Sequence, residues 1–323
     1  MTIARLDTPL RVTWEFHSPT AVMAPAAALT VAERLVEAGL FYVTLLARPL
    51  AHPASAEVLA ILTGGGIQVQ AAFNGTEEEW QGVARLETVP EICVDAGAFL
   101  VQGEESEWDA LRRALERLRQ FAPQPSLLMV PDRQRLPLLP QLCGFCRSSG
   151  VTRITLPNTP VDANFPEHTA AFLPEIAQLA ALREVVIDPV ALRTGLTLEV
   201  HDLFLWEILF PGERENGRAE YGGCQAANSL AHIDPCGMVH PCSSWPQPLG
   251  SLLERPFAEI WQQGARARVL DKIAAIPAGC EGCDDYPHCF GGCRGLVETL
   301  GAAEDGRDLL CAGRRSSSRN GCD

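Results

Sequence analysis

The segment from residue 280 to residue 293, CEGCDDYPHCFGGC, places four cysteines within one short stretch of chain. Its glycines, its proline and its aspartates interrupt both the helical period and the alternation of a strand. A segment with so few apolar side chains cannot bury enough surface to hold itself folded. The sequence therefore predicts that a metal centre organises this part of the molecule.

The cysteines of the C-terminal third follow a defined spacing. A C-x2-C step folds two thiolates onto one centre, and glycines let backbone amides approach cluster sulfides. Upstream, C-x12-G-x4-C runs from Cys224 to Cys242, and Cys311 stands alone downstream. Between them, the pattern C-x2-C-x5-C-x3-C is formed by Cys280, Cys283, Cys289 and Cys293.

The composition limits the classes of partner. The chain has 323 residues, a net charge of −14 and a pI near 5.0, which argues against nucleic acid or an anionic membrane and favours a basic protein or peptide. The first residues, MTIARLDTPLRVTWEF, lack the apolar core of a secretory signal. We therefore expect a cytoplasmic protein, in which twelve cysteines serve as metal ligands rather than disulfides.

Residues 10–187 alternate strand-like and helix-like segments, which predicts a parallel sheet with helical crossovers. The lack of a glycine-rich nucleotide turn favours an α/β fold of the partial (β/α)6-barrel type over a doubly wound sheet. The predicted strands are residues 10–16, 40–46, 67–73, 126–130, 152–156 and 184–187.

Helices are predicted between these strands at residues 30–38, 54–62 and 106–121, followed by a linking helix at 201–210. Thr30 and Glu33 have the spacing of a capping box at the start of the first helix. One apolar face of the third helix is formed by Trp108, Leu111, Leu115, Leu118 and Phe121.

The order of cysteines resembles the seven-cysteine SPASM domain of radical SAM peptide-modifying enzymes. The resemblance covers roughly residues 224–311 and includes two further stretches. "PLGSLLERPFAEIW", at 248–261, is similar to the hairpin-to-helix region of that domain, and "CFGGCRG", at 289–295, is similar to its signature loop. A chance match at every spacing is very improbable.

The resemblance implies one or two auxiliary [4Fe–4S] clusters. The ligands it implies for cluster one are Cys280, Cys283, Cys289 and Cys311. Those it implies for cluster two are Cys224, Cys242 and Cys293. The family takes a fourth ligand for the second cluster from a cysteine shortly before Cys224, where this chain has Tyr221, Gly222 and Gly223. Cys236 is a candidate replacement, His232 and His240 are weaker ones, and an open or lost site is the alternative.

A zinc site is the principal alternative, because zinc loops with four cysteines also use C-x2-C.

The remaining cysteines have simpler interpretations. Cys93 and the pair Cys143 and Cys146 are predicted to lie in the core, and Cys322 lies in a polar tail.

The N-terminal region resembles a radical SAM barrel that has lost its chemical motifs. The first strand, "LRVTWEF", and "FNGT" at 73–76 are similar to that family. The next segment, "HSPTAVMAPAAA", contains no cysteine where the family has C-x3-C-x2-C, and "LLARPL" replaces the Gly-Gly-Glu that binds methionine. Without three thiolates to hold the first cluster, reductive cleavage of S-adenosylmethionine cannot occur in this barrel.

The expected organisation is a degenerate barrel at 1–198, a linker at 199–223, a SPASM domain at 224–313 and a polar tail at 314–323. Such chains occur as companions of an active radical SAM/SPASM enzyme, and the closest resemblance is to the SPASM-domain protein of the GeoRSP system. We expect a non-catalytic partner of that enzyme or of its peptide substrate, in substrate binding or electron relay. The alternatives are a stand-alone enzyme that binds a peptide at an auxiliary cluster, and a zinc- or cluster-stabilised scaffold.

Overall fold

A single ten-stranded sheet forms the centre of the computed structural model, in the order β10-β9-β8-β1-β2-β3-β4-β5-β6-β7. The structure describes residues 5–161, 195–210, 221–301 and 305–313, with the short pieces 173–174, 177–178 and 181–182. The strands are β1 Arg11–Glu15, β2 Tyr42–Leu46, β3 Gln68–Phe73, β4 Glu91–Asp95, β5 Ser126–Leu128, β6 Arg153–Leu156, β7 Thr197–Val200, β8 Leu230–Ile233, β9 Met238–His240 and β10 Gly250–Ser251.

Strands β1 to β7 are parallel neighbours in chain order, which requires a crossover between each pair. β8 pairs in parallel with the outer side of β1, and β9 and β10 follow as antiparallel strands. The described α-helices are Pro25–Glu37, Ser55–Gly64, Glu77–Arg85, Ala96–Phe99, Glu105–Leu118, Leu139–Ser149, Leu203–Leu209, Phe257–Trp261, Gly264–Ala274, Tyr286–Cys289 and Arg294–Leu300. The predicted α/β class with a large parallel sheet is therefore confirmed.

Along β1, buried and half-buried side chains alternate, and this alternation shows which face of the sheet is packed against the core. Val12, Trp14 and Phe16 are buried in the core, whereas Thr13 and Glu15 point to the opposite, half-buried face. One face of the sheet thus packs against helices and the other keeps polar side chains, as in an open barrel.

The start of the first helix differs from the prediction. The helix begins at Pro25, whose fixed φ suits a first turn, and Thr30 lies inside it with its hydroxyl donating to the Ala26 carbonyl at 3.1 Å. The Thr30–Glu33 capping box is therefore wrong. A real capping box joins Thr76 to Glu79 at the helix Glu77–Arg85.

The helix predicted at 106–121 is found at Glu105–Leu118, with Trp108, Leu111, Leu115 and Leu118 all buried. Phe121 was assigned to this face but lies beyond the helix end and is 38% exposed. The chain leaves the helical path after Leu118, so the periodicity no longer sets the direction of this side chain.

The sheet also shows where the expected boundaries need revision. β7 spans the boundary proposed at residue 198, and its pairing with β6 was not predicted. The sixth predicted strand, at 184–187, lies outside the described residues. The linking helix is present at Leu203–Leu209, with the Asp202 carboxylate accepting the Leu205 N–H at 2.9 Å.

The cysteine-rich region is joined directly to the barrel sheet. The N–H groups of Leu10 and Arg11 donate to the Ser229 carbonyl, and Trp261 Nε1 donates to the Leu6 carbonyl at 3.1 Å. Phe257, Ile260 and Trp261 belong to the main apolar core. The hairpin and the helix Phe257–Trp261 are therefore held by the apolar core as well as by any metal centre.

The turn after β2 contains two consecutive residues in the left-handed region. Ala47 and Arg48 both have φ 58°, a conformation that glycine adopts at lower cost. This is the "LLARPL" stretch, in which the resembling family carries two glycines. Two non-glycine residues thus adopt a conformation that glycine adopts more readily.

We expect Ala47→Gly to stabilise the protein by about 0.5–1 kcal/mol, because relief of left-handed strain exceeds the added entropy of the unfolded chain. The midpoint of anaerobic thermal unfolding measures the effect. Ala26→Gly, at an exposed position within the helix Pro25–Glu37, is the control and should lower the midpoint. A fall on Ala47→Gly would contradict the strain assignment.

In the part of the chain that the structure describes, no helix has the length and apolar character needed to cross a membrane.

Candidate metal centres

Four cysteines gather around a loop at the end of the chain. Cys280 begins it after a 3-10 turn, and Cys289 ends the short helix Tyr286–Cys289. Burial raises the pKa of the Cys280 thiol to about 11, with further contributions from the neighbouring thiols Cys289, Cys311 and Cys283. The other three residues assigned to cluster one therefore lie within electrostatic reach of Cys280.

Three other cysteines meet on the opposite side of the same loop. Burial, followed by the thiols of Cys224 and Cys242, raises the pKa of Cys293 well above its ordinary value. Burial and Cys224 likewise raise the pKa of Cys242 to about 12. Cys224, Cys242 and Cys293 therefore lie close enough to repel one another as thiolates.

A tight left-handed turn separates the two groups. Phe290, Gly291 and Gly292 have φ values of 51°, 82° and 70°. Cys289, before this turn, acts on the Cys280 thiol, whereas Cys293, after it, is acted on by Cys224 and Cys242. The two cysteines therefore have different thiol neighbours.

Backbone N–H groups point at the sulfurs of the second group. The Cys224 sulfur accepts hydrogen bonds from the amides of Ala226, Arg294 and Gly295. The amides of Ser244 and Trp245 donate to Cys242, and the amide of Leu296 donates to Cys293. Several of these donors belong to the first turn of the helix Arg294–Leu300, whose N–H groups have no partner within the helix.

Cys236 lies apart from this group. It is exposed in the turn between β8 and β9, and its N–H donates to Asp234 Oδ1 at 2.8 Å. Strand β9 runs away from this turn toward Cys242, so about 13 Å of extended chain separates Met238 from Cys242. The structure does not bring Cys236 to the fourth corner of the second group.

The two histidines are engaged elsewhere. A ring nitrogen of His232 lies 2.9 Å from the Thr13 hydroxyl, and His240 Nε2 lies 3.1 Å from Asp234 Oδ2. Both rings are buried in the sheet next to β1, so the hydrogen-bonded interpretation fits their surroundings.

Other polar residues border the second group, and no sequence pattern marks two of them. Asn158 Nδ2 donates to Cys293 Sγ at 3.0 Å, and the buried Asp308 carboxylate accepts the Cys293 N–H. Burial raises the pKa of Tyr221 well above its ordinary value, with the thiols of Cys224 and Cys293 adding to the effect. Tyr221 thus lies beside the sulfurs, at the chain position where the resembling family has its upstream cysteine.

A buried arginine stands between the two groups. Arg294 is 5% exposed, and its Nε and Nη1 atoms are buried without a hydrogen-bond partner. Its charge acts on the thiols of both Cys224 and Cys280. A buried guanidinium with orphaned donors beside thiols indicates that an acceptor belongs in this space.

The donor set suits an iron–sulfur cluster better than a single ion. Within the described ranges, no three histidine, cysteine, aspartate or glutamate side chains converge as ligands of one metal ion do. The groups consist of cysteines with N–H donors directed at sulfur, which is the environment that stabilises thiolate-bound clusters. Burial raises the pKa of the Cys224, Cys242, Cys280 and Cys293 thiols, and a bound metal centre would replace their protons.

The other described cysteines lie in the barrel core. Cys93 is buried in β4, and Cys143 and Cys146 are buried on the helix Leu139–Ser149. Burial raises the pKa of Cys143 to about 11, which keeps this thiol protonated and unreactive. Cys322 lies outside the described residues.

Gly292 allows the second group to form. A side chain at Gly292 would place its Cβ 2.7 Å from the Asp308 Cβ, in addition to the left-handed φ of 70°. Gly301 also has a left-handed φ, 56°, but a Cβ there meets nothing within 4 Å. A side chain at either position would therefore strain the left-handed backbone, but only at Gly292 would it also clash with a neighbouring residue.

We expect Gly292→Ala to lower the iron content of the purified protein about twofold or more, because it displaces Asp308 from the Cys293 N–H. Gly301→Ala should destabilise the helix end with little loss of iron. Iron and sulfide assays on anaerobic protein measure both variants. Equal iron loss in the two would contradict a specific role for the Asp308 contact.

Comparison with protein families identifies the C-terminal region. Residues 224–284 match the model of the SPASM family, an iron–sulfur cluster-binding domain. This segment is a SPASM domain. It includes Cys224, Cys242, Cys280 and Cys283, whereas the cysteines from Cys289 onward follow the matched segment.

Solved structures share the fold of the whole chain. Streptococcus suis SuiB bound to S-adenosylmethionine is 15% identical, with a TM-score of 0.69 over 95% of this chain and 78% of SuiB. SuiB bound to its precursor peptide SuiA is 14% identical, with a TM-score of 0.70 over 95% of this chain and 77% of that one. anSMEcpe with bound S-adenosylmethionine is 12% identical, with a TM-score of 0.63 over 94% of each chain.

A comparison with curated proteins gives no match. At these identities the structural likeness establishes the fold, and the SPASM match establishes an iron–sulfur-binding domain. Together they confirm the predicted resemblance to the radical SAM/SPASM superfamily.

Proposed function

We propose that the protein binds two [4Fe–4S] clusters and acts as a non-catalytic companion of a radical SAM/SPASM peptide-modifying enzyme. The observation that carries the first part is the separation of seven buried or half-buried cysteines into two groups of interacting thiols. Iron–sulfur binding by the SPASM domain supports this assignment. A thiolate-bound cluster would supply single-electron chemistry in each group.

In this proposal, one cluster is held by Cys280, Cys283, Cys289 and Cys311. The other would be held by Cys224, Cys242 and Cys293, with Tyr221 beside these thiols. The backbone N–H of Gly295 donates to the Cys224 sulfur and that of Leu296 to the Cys293 sulfur, which stabilises negative charge on both. The Asn158 side chain, just after β6, donates to the Cys293 sulfur.

The second part of the proposal rests on the barrel. The chain has no cysteine before Cys93, so the loop after β1 has no thiolate to hold a cluster at the barrel mouth. We infer that the barrel serves as a docking and positioning element.

Charge and the solved neighbours support the partner class. A net charge of −14 favours a basic surface on the partner or a basic peptide. SuiB has been solved with its precursor peptide, and we propose a peptide or small protein as the molecule that this chain helps to present.

Co-purification tests the companion role. We expect the tagged protein to retain the radical SAM/SPASM enzyme encoded beside it, and we expect binding to weaken when salt is raised to about 0.5 M because exposed charges are then screened. A radical SAM enzyme from an unrelated system is the control. No retention at low salt, with clusters intact, would contradict this role and favour the scaffold.

The stand-alone enzyme is the second candidate, because the second group offers three cysteines and a tyrosine rather than four cysteines. An iron without a fourth cysteine has room for a substrate atom. A change in the EPR spectrum of the isolated protein on addition of the precursor peptide would favour this candidate over the companion role.

A further inference from the structure

The guanidinium of Arg294 has an unusual position among the buried charges of this protein. Arg294 follows Cys293 directly and is the first residue of the helix Arg294–Leu300. Its backbone N–H donates to the Cys224 sulfur, so the backbone of Arg294 contacts the second group. Its side chain then folds back over the turn. Nη1 lies 3.6 Å from the point that a Cβ atom would occupy if Gly291 carried a side chain.

The turn under this side chain leads to the first group. The Cβ position of Gly291 lies 3.1 Å from Pro277, which immediately precedes the 3-10 turn that ends in Cys280. The positive charge of Arg294 acts on Cys280 and on Tyr286, next to the first group, as well as on Cys224 in the second. One cation therefore lies within electrostatic reach of both cysteine groups.

The hydrogen bonds of Arg294 are incomplete. Nη2 donates to the Lys272 carbonyl at 3.3 Å and lies 3.7 Å from Glu298 Oε1. Nε and Nη1 are buried and have no acceptor. An unsatisfied buried donor costs about 1–3 kcal/mol, and more when it is charged. These two N–H donors point to different sides of the guanidinium, and each fits an acceptor that carries negative charge, such as a cluster sulfur.

We propose that Arg294 bridges the two cluster sites, donating its Nε–H and Nη1–H groups to cluster sulfur and raising the reduction potential of both clusters. The inference rests on the proposed binding of two clusters. A nearby positive charge and hydrogen bonds to sulfur favour the reduced, more negative cluster. Arg294 is thus a positioning residue that sets both potentials together.

The test is a redox titration of the reconstituted full chain, followed by EPR at both clusters. In Arg294→Gln both midpoint potentials should fall, with at least a tenfold change in the ratio of oxidised to reduced cluster, which is about 59 mV for one electron. Arg294→Lys keeps the positive charge but not the two guanidinium donors, and it should give a smaller fall.

A variant of opposite sign makes the test stricter. Glu298→Gln removes the carboxylate beside Arg294, so both potentials should rise. Lys272→Gln is the matched control, because Lys272 shares Glu298 but is 50% exposed, and its charge is screened by solvent. It should leave both potentials within the error of the titration.

Several results would overturn the proposal. Unchanged potentials in an Arg294→Gln protein with full iron would leave a structural role only, and a shift at one cluster alone would refute the bridge. If Arg294→Gln fails to load iron, unchanged potentials in both Arg294→Lys and Glu298→Gln refute it equally. A wild-type protein without clusters would instead refute the proposed function, so the two failures are distinguishable.

Discussion

Cys283→Ala should lose at least about half of the bound iron and should unfold the loop that carries the first cysteine group. Cys283 lies between Cys280 and Cys289, in a stretch whose described structure is one 3-10 turn, one four-residue helix and the left-handed turn. Such a stretch has little apolar core of its own. Cluster binding and folding of this region are therefore expected to be one event.

Iron, sulfide and limited proteolysis measure this loss. Cys236→Ala is the control, because Cys236 is exposed in a hairpin turn apart from both groups. It should keep its full iron content and the protease resistance of the parent. Full iron in Cys283→Ala, or equal losses in the two variants, would contradict the assignment of the first group.

The isolated protein should form no 5′-deoxyadenosine above background when it is supplied with S-adenosylmethionine and dithionite. Electron transfer into the sulfonium bond needs a cluster whose open iron binds the amino acid part of the cofactor. The segment between Phe16 and Thr30 contains no cysteine to hold that cluster. The two cysteine groups lie instead within and after the SPASM domain.

An active radical SAM/SPASM enzyme serves as the positive control in the same assay. Adding the companion protein to that enzyme should change the yield or rate of peptide modification. Formation of 5′-deoxyadenosine by the isolated protein above a protein-free control would overturn the non-catalytic role. It would favour the stand-alone enzyme.

The sequence predicted most of the parallel sheet, and the resemblance implied how the cysteines divide into two groups. Local spacing carries this information, because apolar runs such as residues 10–16 mark strands and short cysteine intervals restrict which thiols can meet. The resemblance to SPASM domains then divided Cys289 and Cys293 between two centres. The left-handed turn from Phe290 to Gly292 lies between these two cysteines.

The contacts that support the second group were beyond prediction because they join distant parts of the chain. Asn158 and Cys293 are separated by 135 positions, and Asp308 reaches back 15 positions to the Cys293 N–H. No local pattern marks either residue. Arg294 lies in the predicted signature loop. That its Nε–H and Nη1–H groups are buried without an acceptor is visible only in the folded structure.

The helix start at Pro25 illustrates a different failure. Thr30 and Glu33 have capping-box spacing by coincidence, whereas the chain already becomes helical after Ala24. Cys236 was the first candidate for the fourth corner because it is near Cys242 in sequence. An intervening strand holds the two apart, since extended chain separates residues faster than any other regular structure.

Iron and sulfide content, measured with EPR on the anaerobically purified full chain, tests the central claim most directly. Two clusters predict about eight iron and eight sulfide per chain, with EPR signals of two reduced [4Fe–4S] centres after dithionite. Stoichiometric zinc without sulfide, in protein never exposed to oxygen, would contradict the account and leave a zinc-stabilised scaffold.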